Sequence, residues 1–156
     1  MLTQREPAGY GRAMGRQAFG ARTVDEAERR VAIASLLPSH EWRERPLQLT
    51  TVNALTGAFR VLERHDGVPL VDAVAASCAV PGVWPPVSID VEKWIDGGMR
   101  SAVSPDLAAG RARVVILAPT TGGVGGVPSV GEQVAALRAG HRQATQKLDR
   151  VAAVWR

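Results

Sequence analysis

Asp96 is the residue best placed for chemistry in this sequence, because it follows the apolar pair Trp94-Ile95 and precedes Gly97-Gly98. A carboxylate at the end of a strand is held by a rigid element, while two glycines let the backbone turn sharply and another group approach closely. A group so held can take a proton from a hydroxyl. The same tripeptide also makes hairpin turns, since Asp accepts local backbone bonds and Gly supplies positive φ. Spacing alone leaves both readings open, turn and base. Other reactive residue types are scarce. Cys78 is the single cysteine, and its place at an alanine-rich helix end predicts a small buried hydrophobe. His40 falls in a polar link, His65 in a turn and His141 on the apolar face of a terminal helix. With no ligand set at metal spacing, the sequence predicts neither a metal site nor a cofactor.

The elements that would position Asp96 can be read in order. Residues 1–22 carry Gly9, Gly11, Gly15 and Gly20 with four arginines, which predicts a flexible basic arm in which glycine breaks any helical period. Thr23 and Glu26 form a capping-box pattern, followed by Val24, Ala27, Val31 and Ala34 on one face, predicting a helix over 24–37. The alternating run 47–52, the turn 53–57 and the run 58–62 predict a hairpin, closed by a second turn at His65-Asp66-Gly67. Pro69 starts a helix that buries Val71, Val74, Ala75 and Cys78, and Trp84-Pro85-Pro86 is a stiff loop excluded from a central strand. After Asp96, Ser104-Pro105 opens a short helix ended by Gly110. Residues 113–118, an apolar β-branched run, predict a buried parallel strand. Residues 120–131 read as a Gly-rich linker without a phosphate-loop ending. In 132–156 the apolar positions Val134, Leu137, His141, Ala144, Leu148, Val151 and Trp155 form one seam, predicting an amphipathic helix that covers the sheet, pairs two chains or lies on a membrane surface.

Composition bounds the function. With 46% hydrophobic and 22% charged residues over 156 positions, the chain can bury a core. The formal net charge is +4, and of 19 basic residues all but Lys93 and Lys147 are arginine. The arginines are scattered and accompany no recognition motif, so nucleic acid is not an expected partner. No apolar run approaches the ~18 residues needed to cross a bilayer, and the opening residues lack the apolar segment of a signal peptide, which predicts the cytoplasm.

Several motifs in order carry a resemblance. Ala75-Ala76-Ser77-Cys78-Ala79-Val80-Pro81-Gly82-Val83-Trp84-Pro85-Pro86-Val87, then Trp94-Ile95-Asp96-Gly97-Gly98, then Asp106-Leu107-Ala108-Ala109-Gly110 and Val114-Val115-Ile116-Leu117-Ala118-Pro119, closely resemble the C-terminal half of a patatin-like phospholipase domain, the match covering roughly 27–119. That resemblance implies an α/β acyl hydrolase using a Ser-Asp dyad, with serine in a Gly-X-Ser-X-Gly turn, aspartate in an Asp-Gly-Gly motif and a Gly-rich oxyanion loop. By the resemblance Asp96 is the base, Gly97 and Gly98 complete its motif, and Val83 and Trp84 lie near the mouth, either against an acyl chain or packed in the core. No Gly-X-Ser-X-Gly occurs in the 156 residues, and Ser35, Ser39, Ser77, Ser88, Ser101, Ser104 and Ser129 carry no such elbow, so no nucleophile is assigned. Val91 stands where related chains often have glycine, which bears on the tightness of the 88–93 turn.

The expectation is an α/β fold, a partial patatin-like three-layer sheet with flanking helices over 23–119, lacking the N-terminal nucleophile half. The implied partners are a lipid or ester substrate, the missing half or a second copy through 132–156, and a peripheral membrane contact. The alternative is a non-catalytic remnant or protein-interaction module.

Overall fold

A computed structural model describes residues 7–116, 145, 147, 148 and 151–153. The chain divides into two compact units, Met1–Ala102 and Val103–Arg156. Among the described residues the first holds three α-helices, α1 (Pro7–Gly20), α2 (Glu26–Leu36) and α3 (Leu70–Ser77), and four strands, β1 (Leu49–Asn53), β2 (Phe59–Leu62), β3 (Val87–Ile89) and β4 (Glu92–Asp96). The strands form one antiparallel sheet in the order β2-β1-β4-β3. The fold is therefore mixed helix and sheet.

The hairpin β1-β2 forms as the alternation predicts, with Leu49 opposite Leu62 and Val52 opposite Phe59. Its turn is built by Asn53, whose Oδ1 accepts from the amides of Leu55 and Thr56 at 3.0 and 2.9 Å, and by Gly57 at φ 73°. β4 then adds to the free side of β1, pairing Thr51 with Asp96 and Asn53 with Trp94. The β3-β4 connection is tight despite Val91. Asp90 takes the left-handed conformation at φ 56°, a region Asp tolerates, and Val91 points fully into solvent.

Successive β4 residues face opposite ways, and both faces of the sheet are apolar. Trp94 joins Ile33, Leu62, Val71, Ala76 and Val87 in a core supplied by α2 and α3. Ile95, fully buried, joins Val52, Ala54 and Ala18 in a second core supplied by α1. Small residues in α3, Ala73, Ala75 and Ala76, allow the helix to lie close to the strands.

The structure corrects four readings of the sequence. Residues 7–20 are a helix, not an arm whose glycines break the period. A Cβ on Gly15 would overlap the carbonyl of Ala54, and one on Gly11 would come within 2.9 Å of Gly57 Cα, so these glycines are where the helix meets backbone. Residues 1–6 lie outside the described residues. α2 is capped by Asp25, whose carboxylate accepts from the Ala27 amide at 2.7 Å, rather than by Thr23. Its inward face carries Ile33 with Glu26, Arg29 and Arg30, while Val31 is 69% exposed. Glu26 serves as a clamp: it accepts from the Ser88 amide at 2.5 Å and Oγ at 3.1 Å, and from Lys93 Nζ at 2.6 Å. Burial would raise the Glu26 carboxyl, but these donors hold it below its ordinary value. Cys78 is exposed rather than buried, because α3 ends one residue before it.

The fourth correction falls in the second unit. Residues 113–116 form no strand, and Val114 and Ile116 are 44% and 55% exposed. A parallel strand needs neighbours on both edges and cover on both faces, and among the described residues the sheet consists of the four antiparallel strands alone. The remainder of that run lies outside the described residues. Pro105–Ala108 is a single 3₁₀ turn preceded by Ser104 at φ 39°, whose side chain does not cap it, and Gly110 follows at φ 79°. The linker 120–131 lies outside the described residues, as do His141, Trp155 and most of 132–156; residues 145, 147, 148 and 151–153 are helical.

Candidate active site

Asp96 is the last residue of β4, and Gly97–Met99 continues as a 3₁₀ turn. Its amide donates to the carbonyl of Ala79 at 3.1 Å, which ties the strand end to the segment leaving α3. Its carboxylate accepts at Oδ1 from the Gly98 amide at 2.7 Å. Among the described residues no other donor reaches the carboxylate, which leaves Oδ2 able to accept a proton. Burial raises the Asp96 carboxyl above its ordinary value, opposed in part by the Gly98 bond. The sign follows: an acid raised in the fold favours folding below its unfolded value of about 3.9, and that contribution is lost as pH rises through the raised value.

The two glycines differ in what they do. Gly97 is buried, and a Cβ there would overlap Thr50 Oγ1 and carbonyl oxygen and lie 2.5 Å from its carbonyl carbon. Gly98 is exposed, and its Cβ would meet only Asp96 Oδ1, at 2.9 Å. Gly97 therefore lets the chain pass β1, and Gly98 leaves room for the carboxylate it binds.

Cys78 shares this end of the sheet. Although the residue reaches the surface, the protein packed around its thiol withholds water from it, and this and then the Asp96 carboxylate push the thiol up, while Arg29 acts in the opposite direction, so the thiolate is disfavoured. Trp84, half-buried, carries the Arg29 guanidinium over its ring with Cζ 3.7 Å from the centroid. Val83 is half-buried beside it, its amide bonded to the carbonyl of Val80 at 3.0 Å. Periodicity gave no sign of Arg29, because the apolar stripe of α2 pointed to the opposite side. His40 contacts the Ala34 carbonyl through Nε2 at 2.9 Å, and His65 sits exposed in a 3₁₀ turn; neither joins Asp96. Two shallow clefts, of about 150 and 200 Å³, are lined by Asp66, Asp72 and Asp90 and by Arg43, Arg45 and Arg64; Asp96 lines neither.

Asp96 is thus a half-buried carboxylate at a strand end of a mixed helix-and-sheet domain, with Oδ1 held by a backbone amide, a group with the chemistry to exchange a proton. The family model for Patatin-like phospholipase matches residues 7–109, and the chain belongs to that family of lipid acyl hydrolases. No curated protein and no solved structure matches it. Among the described residues no helix is long and apolar enough to cross a membrane.

Proposed function

We propose that this chain supplies the base of a lipid acyl hydrolase, with Asp96 as the proton acceptor and the nucleophilic serine contributed by sequence outside these 156 residues. The observation that carries the reading is the Asp96 carboxylate itself, fixed at Oδ1 by Gly98 and raised by burial. The serine hydroxyl gives its proton to Oδ2 as its oxygen attacks the ester carbonyl, and the acyl group passes to the serine as the alcohol leaves with that proton. Water then attacks the acyl-serine, again through Asp96, and releases the fatty acid. On this reading β1 to β4, with helices on both faces, are part of a patatin-like three-layer sheet. Residues 120–131 link it to a terminal helix over 132–156 that contacts a membrane surface or a second copy, and the protein works in the cytoplasm.

A second reading, a protein-interaction module descended from such an enzyme, is favoured by the exposed Val114 and Ile116. A fluorescent fluorophosphonate, which captures activated serines, separates arrangements of the dyad. The purified chain and its Asp96→Ala variant are both expected to remain unlabelled. Labelling that requires Asp96 would mean that a serine within the chain completes the site, and the outside nucleophile would have to be abandoned.

A further inference from the structure

The acyl-transfer reading leaves unused the cleft of about 200 Å³ lined by Arg43, Arg45 and Arg64 together with Glu44 and Glu63. All three arginines are exposed, and among the described residues no ion pair joins any of them to a carboxylate. By contrast, Arg30 is paired with Asp72 and Lys93 with Glu26. Glu63 is engaged elsewhere: its Oε1 accepts from Gln48 Nε2 at 2.6 Å. Three guanidinium charges thus share the cleft with two carboxylates, neither of which neutralises one of them at contact.

Both walls are built from structured main chain. Residues 64–66 form a 3₁₀ turn, in which the Glu63 amide donates to Asp66 Oδ2 at 2.6 Å and the Asp66 amide to the Glu63 carbonyl at 3.1 Å, closed by Gly67 at φ 74°. The opposite wall, 43–47, is anchored at Trp42, which packs on the core and donates from Nε1 to the Val68 carbonyl at 2.8 Å, and Pro46 stiffens it. Cations gathered on fixed walls need little further ordering when an anion binds.

A guanidinium pairs with phosphate through a planar fork that contacts two oxygens at once, so three forks suit a ligand with more oxygens than one carboxylate offers. A cavity of roughly 150 Å³ accepts a benzene ring, and this cleft has room for two linked phosphate groups. Its apolar lining is limited to Pro46 and Leu47, too little to hold an acyl chain. We infer that the cleft is a binding site for a soluble diphosphate, the pyrophosphate group free or borne by a small molecule, with Arg43, Arg45 and Arg64 as its ligands. Asp96 does not line it, so the inference stands or falls separately from the reading of Asp96 as base.

The test is calorimetric titration of pyrophosphate into the full chain at about 0.1 M salt, where charges more than ~10 Å apart are largely screened. Pyrophosphate is expected to bind with a Kd below about 1 mM and about tenfold more tightly than inorganic phosphate. Arg45→Gln and Arg64→Gln are each expected to weaken it about tenfold, the loss of one charge-assisted pair. Arg16→Gln, which removes an equal charge from an exposed position on α1, is expected to leave it unchanged. Backbone amide NMR shifts of the wild type on adding pyrophosphate are expected within 43–47 and 63–65, a readout that needs no variant. A Kd above about 1 mM, shifts confined to other residues, or equal weakening by Arg16→Gln overturns the site. Inorganic phosphate bound as tightly as pyrophosphate overturns the diphosphate assignment in favour of a single phosphate. Sedimentation of the chain with phosphatidic-acid vesicles that is lost in Arg64→Gln and not reversed by pyrophosphate overturns the soluble ligand in favour of a lipid surface.

Discussion

Gly97→Ala is expected to destabilise the first unit by about 3 kcal/mol or more, the scale of a forced backbone shift in a packed interior. The added methyl meets Thr50 Oγ1 and also the Thr50 carbonyl, and the carbonyl is main chain that cannot rotate away. Thr50 belongs to β1, which is hydrogen-bonded to β2 on one side and β4 on the other, so yielding at Thr50 disturbs two ladders. Gly98→Ala provides the contrast, because its methyl meets only the Asp96 carboxylate oxygen. It is expected to cost under about 1 kcal/mol in stability while turning the carboxylate out of its place. Urea denaturation of the three proteins, followed by circular dichroism, checks both. A Gly97→Ala midpoint equal to that of the wild type would mean that the turn after β4 does not lie against β1.

Gly15→Ala reverses the sign that helix propensity alone would give. In an exposed helix interior, replacing glycine by alanine stabilises by about 1 kcal/mol. At Gly15 the methyl would overlap the Ala54 carbonyl, and Gly15 is buried, so a loss of about 2 kcal/mol is expected instead. Gly9 lies in the same helix, and its Cβ would meet only Arg12 Nη2, at 3.7 Å, so Gly9→Ala should be neutral or stabilising. If both alanines stabilise the protein in the same denaturation series, α1 is not docked on the end of β1.

These glycines also show where the sequence is and is not legible. Their number in residues 7–20 argues against a helix when propensity is the only guide, yet close approach to β1 and its turn requires their lack of a side chain, and tertiary packing prevails. The β1-β2 hairpin was readable because alternation and the Asn53 turn are local signals that agree. Asp96 was readable as a strand-end acid because Trp94-Ile95 and the two glycines bracket it in sequence. The inward face of α2 was not, since it is dominated by Glu26, Arg29 and Arg30, whose partners are 42 to 67 residues away or, for Arg29, an aromatic ring. Residues 113–116 carry strong β propensity, but a strand forms only where another strand offers its edge.

The central claim, that Asp96 is a half-buried base and not a solvated turn residue, is tested most directly by a ¹³C NMR titration of its side-chain carboxyl in the full chain. The expected result is a pKa above the value of about 3.9 found for an unperturbed aspartate. A pKa at or below that value would mean that the carboxylate is solvated or held as an anion by the Gly98 amide, and Asp96 would then be the hairpin-type turn that its tripeptide alone also allows.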